Sequence, residues 1–389
     1  LNQQIAYKYR VYPTNEQKTL LARTFGCVRF VYNNILEYRH NEYYQNNNSI
    51  NYNQTSAKLT ELKKELDWLY DVSNVALQQG LRNLDTAFSN FFKGRAKYPK
   101  FKNRHKKQSF RLTNSGFRFK DGKLYIAKSK EPLEIKWSRD LDLSKINSIT
   151  VSKDSADRYF VSIQGEKDMK LKPVNQNKIG IDLGLTHFLI DSNGNKIANL
   201  RNTRKYAQKL KIEQRRLSKK QKGSENFKKQ KLKVARVHAK IADCRKDFLH
   251  KLSSNIVNEN QVIILEDLAV KNMIQNRKLS KAISDAAWST FVDMLKYKSE
   301  WYGRTFHQVN RWYPSSKTCS SCGHLHSKMP LSVRKFSCES CHVEHDRDIN
   351  AAKNILTVGH TELACGVQNK TESPVWSNAQ DCETRIPLL

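Results

Sequence analysis

The chain has 389 residues, 38% of them hydrophobic, which is enough for ordinary cores but too long for one simple core, so two to four domains are expected. Its 69 lysines and arginines against 37 acids leave a formal net charge of +32, an excess that excludes an ordinary mixed-sign surface and points to nucleic acid as the partner. No apolar run is long enough for a membrane span, and LNQQIAYKYRVYP at the start lacks a signal-peptide core, so the expectation is a soluble, cytoplasmic protein.

Residues 5–11 alternate as a strand does, Pro13 breaks the pattern, and Asn15 with Glu16 starts a helix. The chain then reads as mostly helical to Phe92, with the Asn-rich patch Gln45–Gln54 as a loop. Leu77, Leu81, Leu84 and Phe88 recur at spacings of three and four, the mark of a buried helix stripe. Gln78, Gln79 and Arg82 fall on other faces of that helix, where Gln can read adenine and Arg can read guanine or hold phosphate. Residues 93–107, KGRAKYPKFKNRHKK, hold eight basic side chains interleaved with Tyr98 and Phe101, and Gly94 and Pro99 oppose a helix there. Lys97, Lys100, Lys102 and Arg104 in this segment are expected phosphate contacts.

From Phe110 to Gly165 the pattern is β-rich, a small barrel or sheet that the N-terminal strand could join. KIGIDLG, HFLID and KIANL then give three short strands between 178 and 200. Residues 201–250 carry 18 Lys and Arg against 4 acids. Within and beyond them Val237, Ile241, Phe248 and Ile256 keep a helical stripe, and Gly223-Ser224 marks a hairpin between two helical arms. QVIILED is a buried strand, Asp285 to Gly303 an amphipathic helix, and RTFHQV another strand. After Thr357 periodicity ends, and an irregular tail is expected.

Two motifs carry chemistry. Cys319-x2-Cys322-x15-Cys338-x2-Cys341 can set four thiolates around one Zn²⁺, and a closed four-ligand site is structural. His324, His342 and His345 lie near enough in sequence to be substitute ligands. The second motif is a set of acids in the order Asp, Glu, Asp: Asp182 in GIDLG, Glu266 at the end of VIILE, and Asp348 in DRDINAAKNI. Divalent-metal chemistry on phosphodiesters needs clustered hard oxygen ligands, and the ends of buried strands can supply them at one sheet edge.

The stretches AWSTFVDMLKYKSEWYG, RWYPSSKTCSSCG and DRDINAAKNI, with GIDLG, VIILEDL, RVYPTNEQ and FFKGRAKYPKFKNR, closely resemble TnpB, the RNA-guided nuclease family of bacterial and archaeal insertion sequences and relatives of type V CRISPR effectors. The resemblance covers nearly the whole chain. It implies an α+β multidomain protein: a β-barrel-like wedge domain (1–12 and 93–175), a helical recognition insertion (13–92), an RNase H-like RuvC nuclease domain (176–314 and 344–358) with an inserted zinc ribbon (315–343), and the irregular tail (359–389). It further implies Asp182, Glu266 and Asp348 as ligands of two catalytic Mg²⁺ ions, with Asp346 the rival for the third place. One structural Zn²⁺ on the four cysteines is implied too. The implied partners are a guide noncoding RNA from the transposon end and double-stranded target DNA, held by a monomeric protein. The last knuckle reads CESCH, where the family usually has Gly after the final Cys. Two rival readings are a transposase joining its own DNA ends, which would use the same acids, and a nuclease-inactive RNA-guided DNA-binding repressor, which should lack them.

Overall fold

The computed structural model describes residues 2–330 and 332–366. They form two compact units, 2–168 with 221–236 and 169–220 with the residues from 237 on.

In the first unit, β1 (Asn2–Val11) leads into α1 (Asn15–Asn46), whose start is closed by a capping box between Thr14 and Gln17. After a short loop come α2 (Tyr52–Glu65), capped in the same way by Asn51 and Gln54, and α3 (Asn74–Phe92). The stripe Leu77, Leu81, Leu84 and Phe88 is buried in the core shared with Leu21, Val28, Val31 and Ile35 of α1. The β-rich stretch holds β2 (Gln108–Thr113), β3 (Phe117–Lys120), β4 (Lys123–Ile126), β5 (Ile135–Lys136), β6 (Lys145–Lys153) and β7 (Tyr159–Asp168). Four of these strands and β1 form one sheet in the order β2-β6-β7-β1-β5. The N-terminal strand lies against β7 from Asn2↔Asp168 to Val11↔Tyr159, so a strand and the sheet it joins are separated in sequence by the helices.

The second unit is built on β8 (Lys178–Leu183), β9 (His187–Asp191) and β10 (Lys196–Ala198). Short α4 (Asn202–Lys205) and α5 (Ala207–Ser218) follow, then the long α6 (Glu225–Glu259), of which residues 225–236 belong to the first unit. Next come β11 (Val262–Glu266), α7 (Val270–Met273), α8 (Ser280–Ala286), α9 (Trp288–Tyr302) and β12 (Thr305–Val309). The small pair β13 (Lys335–Ser337) and β14 (Glu344–Asp346) precedes α10 (Arg347–Ala364). The sheet order is β10-β9-β8-β11-β12, with β8, β11 and β12 parallel to one another and β9 antiparallel to both its neighbours, β8 and β10. Its core gathers Ile181, Phe188, Leu265, Trp288, Phe291 and Leu295.

Two expectations need correction. The helix expected from Asp285 is two helices, because Ala287 stands between them at φ 55. That left-handed residue lets Ile283 and Ala286 before it, and Trp288 and Phe291 after it, enter the same core. The tail expected to be irregular from 359 is helical through Ala364; its remainder past 366 lies outside the described residues.

Candidate functional site

Asp182 and Glu266 stand side by side. The parallel register of β8 and β11 runs Val262↔Lys178 through Leu265↔Ile181, so the next residues, Glu266 and Asp182, are level at the carboxyl ends of two neighbouring strands. Open sheets bind ligands at that edge. Asp348 arrives on α10, which crosses β8 closely. A Cβ on Gly180 would stand 2.2 Å from the Ala352 carbonyl oxygen, so only glycine permits this approach. Asp348 lies one turn before Ala352, about 6 Å along the helix. Asp182 lies two residues beyond Gly180, about 6.6 Å along the strand.

The charges of Glu266 and Asp348 both act on Asp182. Burial first, then the charges of Glu266 and Asp348, push Asp182 up to about 7, against the opposing pull of Arg347. Burial and the neighbouring Asp267 likewise push Glu266 up to about 7. Partly buried carboxylates raised in this way would gain from a bound cation. Asp346 is engaged differently. It caps α10 by accepting from the N–H groups of Asp348 and Ile349, and it pairs with Lys196 at 2.5 Å. Burial would raise its pKa, but these donors outweigh burial and hold it low. Asp348 itself accepts from Arg334 at 3.2 Å.

The four cysteines converge. Their sulfurs all lie within 4.8 Å of one another, with Cys319–Cys341 at 3.7 Å and Cys322–Cys338 at 3.6 Å. A tetrahedron with Zn–S bonds of about 2.3 Å has edges of about 3.8 Å, so the set fits zinc. The thiols compete for charge: N–H groups of Cys341 and Ser340 hold Cys338 down to about 5 despite burial. Cys341 receives the Val343 N–H, but burial and the other three thiols outweigh it and push it up to about 12. His345 Nε2 lies 3.2 Å from the Cys319 sulfur, while His324 faces Glu339 instead. His342, in the place where glycine is usual, sits at φ 57.

The sequence reading missed what ties the ribbon to α10. Asn350 accepts from the Ser320 N–H and donates to the Thr318 carbonyl, at 2.8 and 2.7 Å. Asn354 donates to the carbonyls of Ser315 and Thr318. Arg347, buried, donates to the carbonyls of Pro330 and Val333. The stretch DRDINAAKN thus combines a helix cap, an acid whose charge reaches Asp182, small residues for close packing and two asparagines that clamp the first knuckle. The spacing of Asn350 and Asn354, one helical turn apart, was the available signal.

The expected nucleic-acid contacts lie on the first unit. Gln78 and Gln79 are half-buried, and Arg82 is exposed with its guanidinium 4.7 Å from the Tyr52 ring. Lys97, Lys100 and Arg104 are exposed in the loop after α3. Lys102 is exposed too, but its ammonium lies 4.0 Å from the Tyr32 ring and desolvation lowers its pKa. The loop is also pinned, by Asn33 to both backbone groups of Lys102 and by Gln108 to the carbonyls of Asn103, Arg104 and Lys106.

Residues 160–277 match the IS605 OrfB family described as "Probable transposase", and residues 288–355 match a Cas12f1-like TNB domain. A relative from Streptomyces pristinaespiralis, named "Putative RNA-guided DNA endonuclease", is 50% identical over 365 residues, 93% of this chain and 90% of its own. The chain belongs to the TnpB/OrfB family. A second relative, from Escherichia coli strain K12 and bearing the same name with the suffix InsQ, is 31% identical over 395 residues, 95% of this chain and 96% of its own. Residues 3–48 also match a helix-turn-helix description; in this TnpB-family chain they hold β1 and the single long helix α1. A solved Cas12f1–sgRNA–target DNA complex contains a chain that superposes with a TM-score of 0.58 at 14% identity, covering 91% of this chain and 98% of that one. At that identity the likeness is one of fold: a mixed α+β architecture. Among the described residues no helix is long and apolar enough to cross a membrane.

Proposed function

We propose that this chain is an RNA-guided, metal-dependent DNA endonuclease of a transposable element. The observation that carries the reading is that Asp182 and Glu266 end neighbouring strands of a five-stranded mixed sheet and that the charges of Glu266 and Asp348 both reach Asp182, as an RNase H-like RuvC centre would require. These three side chains would hold two Mg²⁺ ions, which activate water and stabilise the leaving oxygen in phosphodiester hydrolysis. Asp346 holds the start of α10, and so the place of Asp348. The four cysteines hold one structural Zn²⁺, and Asn350 and Asn354 couple that ribbon to the helix bearing Asp348.

The surplus of 32 positive charges serves the guide RNA and the double-stranded target. Sequence reading is divided: the guide pairs with the target strand, and the protein reads a short flanking motif. In this reading β1 with β2–β7 form the wedge and α1–α3 the recognition insertion. Gln78, Gln79 and Arg82 of α3 contact bases of the motif, with Lys97, Lys100 and Arg104 on the backbone beside them. The protein works as a monomer with its RNA, and its one RuvC centre cuts the two strands in turn.

The test is reconstitution with RNA from the transposon end carrying a chosen guide. Cleavage that follows the guide, needs a divalent cation and stops in Asp182→Ala establishes the reading. Joining of transposon ends without guide-directed cutting would replace it with the transposase reading. Guided binding with no cutting by the wild-type protein would replace it with a repressor.

A further inference from the structure

Beside the carboxylate site the second unit holds a pocket of about 460 Å³. Leu185, Ala207, Leu279 and Ala282 give it apolar walls, and Arg201, Arg204, Lys278 and Lys281 contribute four cations. One acid, Asp285, also lines it, but its charge is already engaged. Asp285 accepts from the Thr203 N–H at 2.9 Å, the Thr203 hydroxyl at 2.7 Å and Arg245 at 2.6 Å. Among the described residues the four cations have no ion-pair partner. The Asp285 contacts tie the start of α4 to α8, so the walls are set before anything enters. The Leu185 carbonyl accepts from Asn199 at 3.1 Å, joining two of the lining segments.

The size is that of a small-ligand site. Apolar walls with an uncompensated cationic rim suit a flat base joined to a phosphate; a neutral ligand would leave the cations without purpose. Position selects the strand. Leu185 follows Asp182 by three residues, and an extended chain spans at most about 3.6 Å per residue, so their backbones lie within about 11 Å.

We propose that this pocket seats one nucleotide of the DNA strand being cut, its base against Leu185 and Leu279 and its phosphate among Arg201, Arg204, Lys278 and Lys281. The proposal rests on the reading of Asp182, Glu266 and Asp348 as the cutting site. The pocket holds the strand beside the acids, so its loss should slow cutting more than it weakens guided binding.

The experiment uses the full-length protein–RNA complex with Arg201→Gln/Arg204→Gln, Lys278→Gln/Lys281→Gln and Arg201→Lys/Arg204→Lys variants. Bound RNA, guided binding and single-turnover cleavage are measured for each, with thermal melting as the check on folding. The two Gln pairs should keep their RNA and bind target within about twofold of wild type, yet cut at least tenfold more slowly. The Lys pair should recover much of the rate, because phosphate needs the charge. A photoreactive iodouracil placed near the cut should crosslink to the peptide carrying Leu279. Unchanged cleavage in both Gln pairs overturns the proposal. So does loss of bound RNA in a folded variant, which would assign the pocket to the guide. A wild-type complex that cuts nothing would sink the nuclease reading instead. The pocket is then judged by affinity for a single-stranded DNA oligonucleotide, where each phosphate left unpaired should lower the log–log salt slope by about 0.7 and an unchanged slope overturns it.

Discussion

At the scale of single residues, the two aspartates of DRD have separable duties. Asp348 lies near enough to Asp182 to raise its pKa, whereas Asp346 is taken up by two backbone N–H groups and Lys196. Asp348→Ala should therefore abolish cutting while guided binding persists; loss of several kcal/mol of transition-state stabilisation is many tenfold steps of about 1.4 kcal/mol each. Asp346→Ala should instead lower stability by about 1 kcal/mol, the usual worth of an N-cap, and retain measurable cleavage. A dead Asp346→Ala beside an active Asp348→Ala in the same assay would reverse these roles. Among the described residues seven non-glycines carry left-handed backbone, among them His342 at φ 57 and Ala287 at φ 55. That conformation disfavours any side chain by about 1–2 kcal/mol. His342→Gly and Ala287→Gly should each be neutral or raise stability by up to about 1 kcal/mol in denaturant melts, since glycine's extra freedom in the unfolded chain offsets part of the gain. A clear loss at either position would mean that its side chain makes a contact worth more than the strain.

At the scale of elements, the site depends on how closely α10 lies on the sheet. A Cβ at Gly180 would meet the Ala352 carbonyl and Leu356, and one at Gly359 would meet Ile264 at 2.3 Å. Gly180→Ala should push the helix outward, destabilise by about 1–3 kcal/mol and cut at least tenfold more slowly, although all three acids remain. Full activity in that variant would show that the helix position is not what sets Asp348. The ribbon is the second element that α10 organises. Asn354→Ala leaves the Ser315 carbonyl without its donor, while the Thr318 carbonyl keeps Asn350, a change of about 1–3 kcal/mol if the Ser315 oxygen stays dry. Its expected signature is faster transfer of zinc to a chromogenic chelator, at one zinc per chain before the challenge. Protein that cuts with no zinc by elemental analysis would overturn the structural role of the four cysteines, since zinc-finger peptides gain roughly 10–16 kcal/mol from their metal.

At the scale of the whole molecule, charge decides the partner and salt reports it. Replacing Lys97, Lys100, Lys102 and Arg104 together should reduce the log–log salt slope of nucleic-acid binding by about 0.7–0.9 for each phosphate that is no longer neutralised. The drop should correspond to three phosphates rather than four, because the Lys102 ammonium is packed over Tyr32. An unchanged slope would make the loop plain surface. Much of the protein was legible without coordinates. Period-two and period-3.6 patterns located β1, α3, β8 and β11, since local backbone geometry sets those repeats. The four cysteines marked a candidate metal site by type and spacing alone. The acids could be named but not placed, because Asp182, Glu266 and Asp348 come near one another only through the β8–β11 register and the approach of α10 to Gly180, contacts between segments far apart in sequence. The same holds for the break at Ala287, which exists so that two helices reach one core, and for the pocket under Leu279, whose walls come from three stretches of chain. Composition, periodicity and ligand spacing are written along the chain and so could be read there; register, close packing and the engagement of Asp346 and Asp285 by their partners arise only when distant segments touch, and tertiary structure alone decided them.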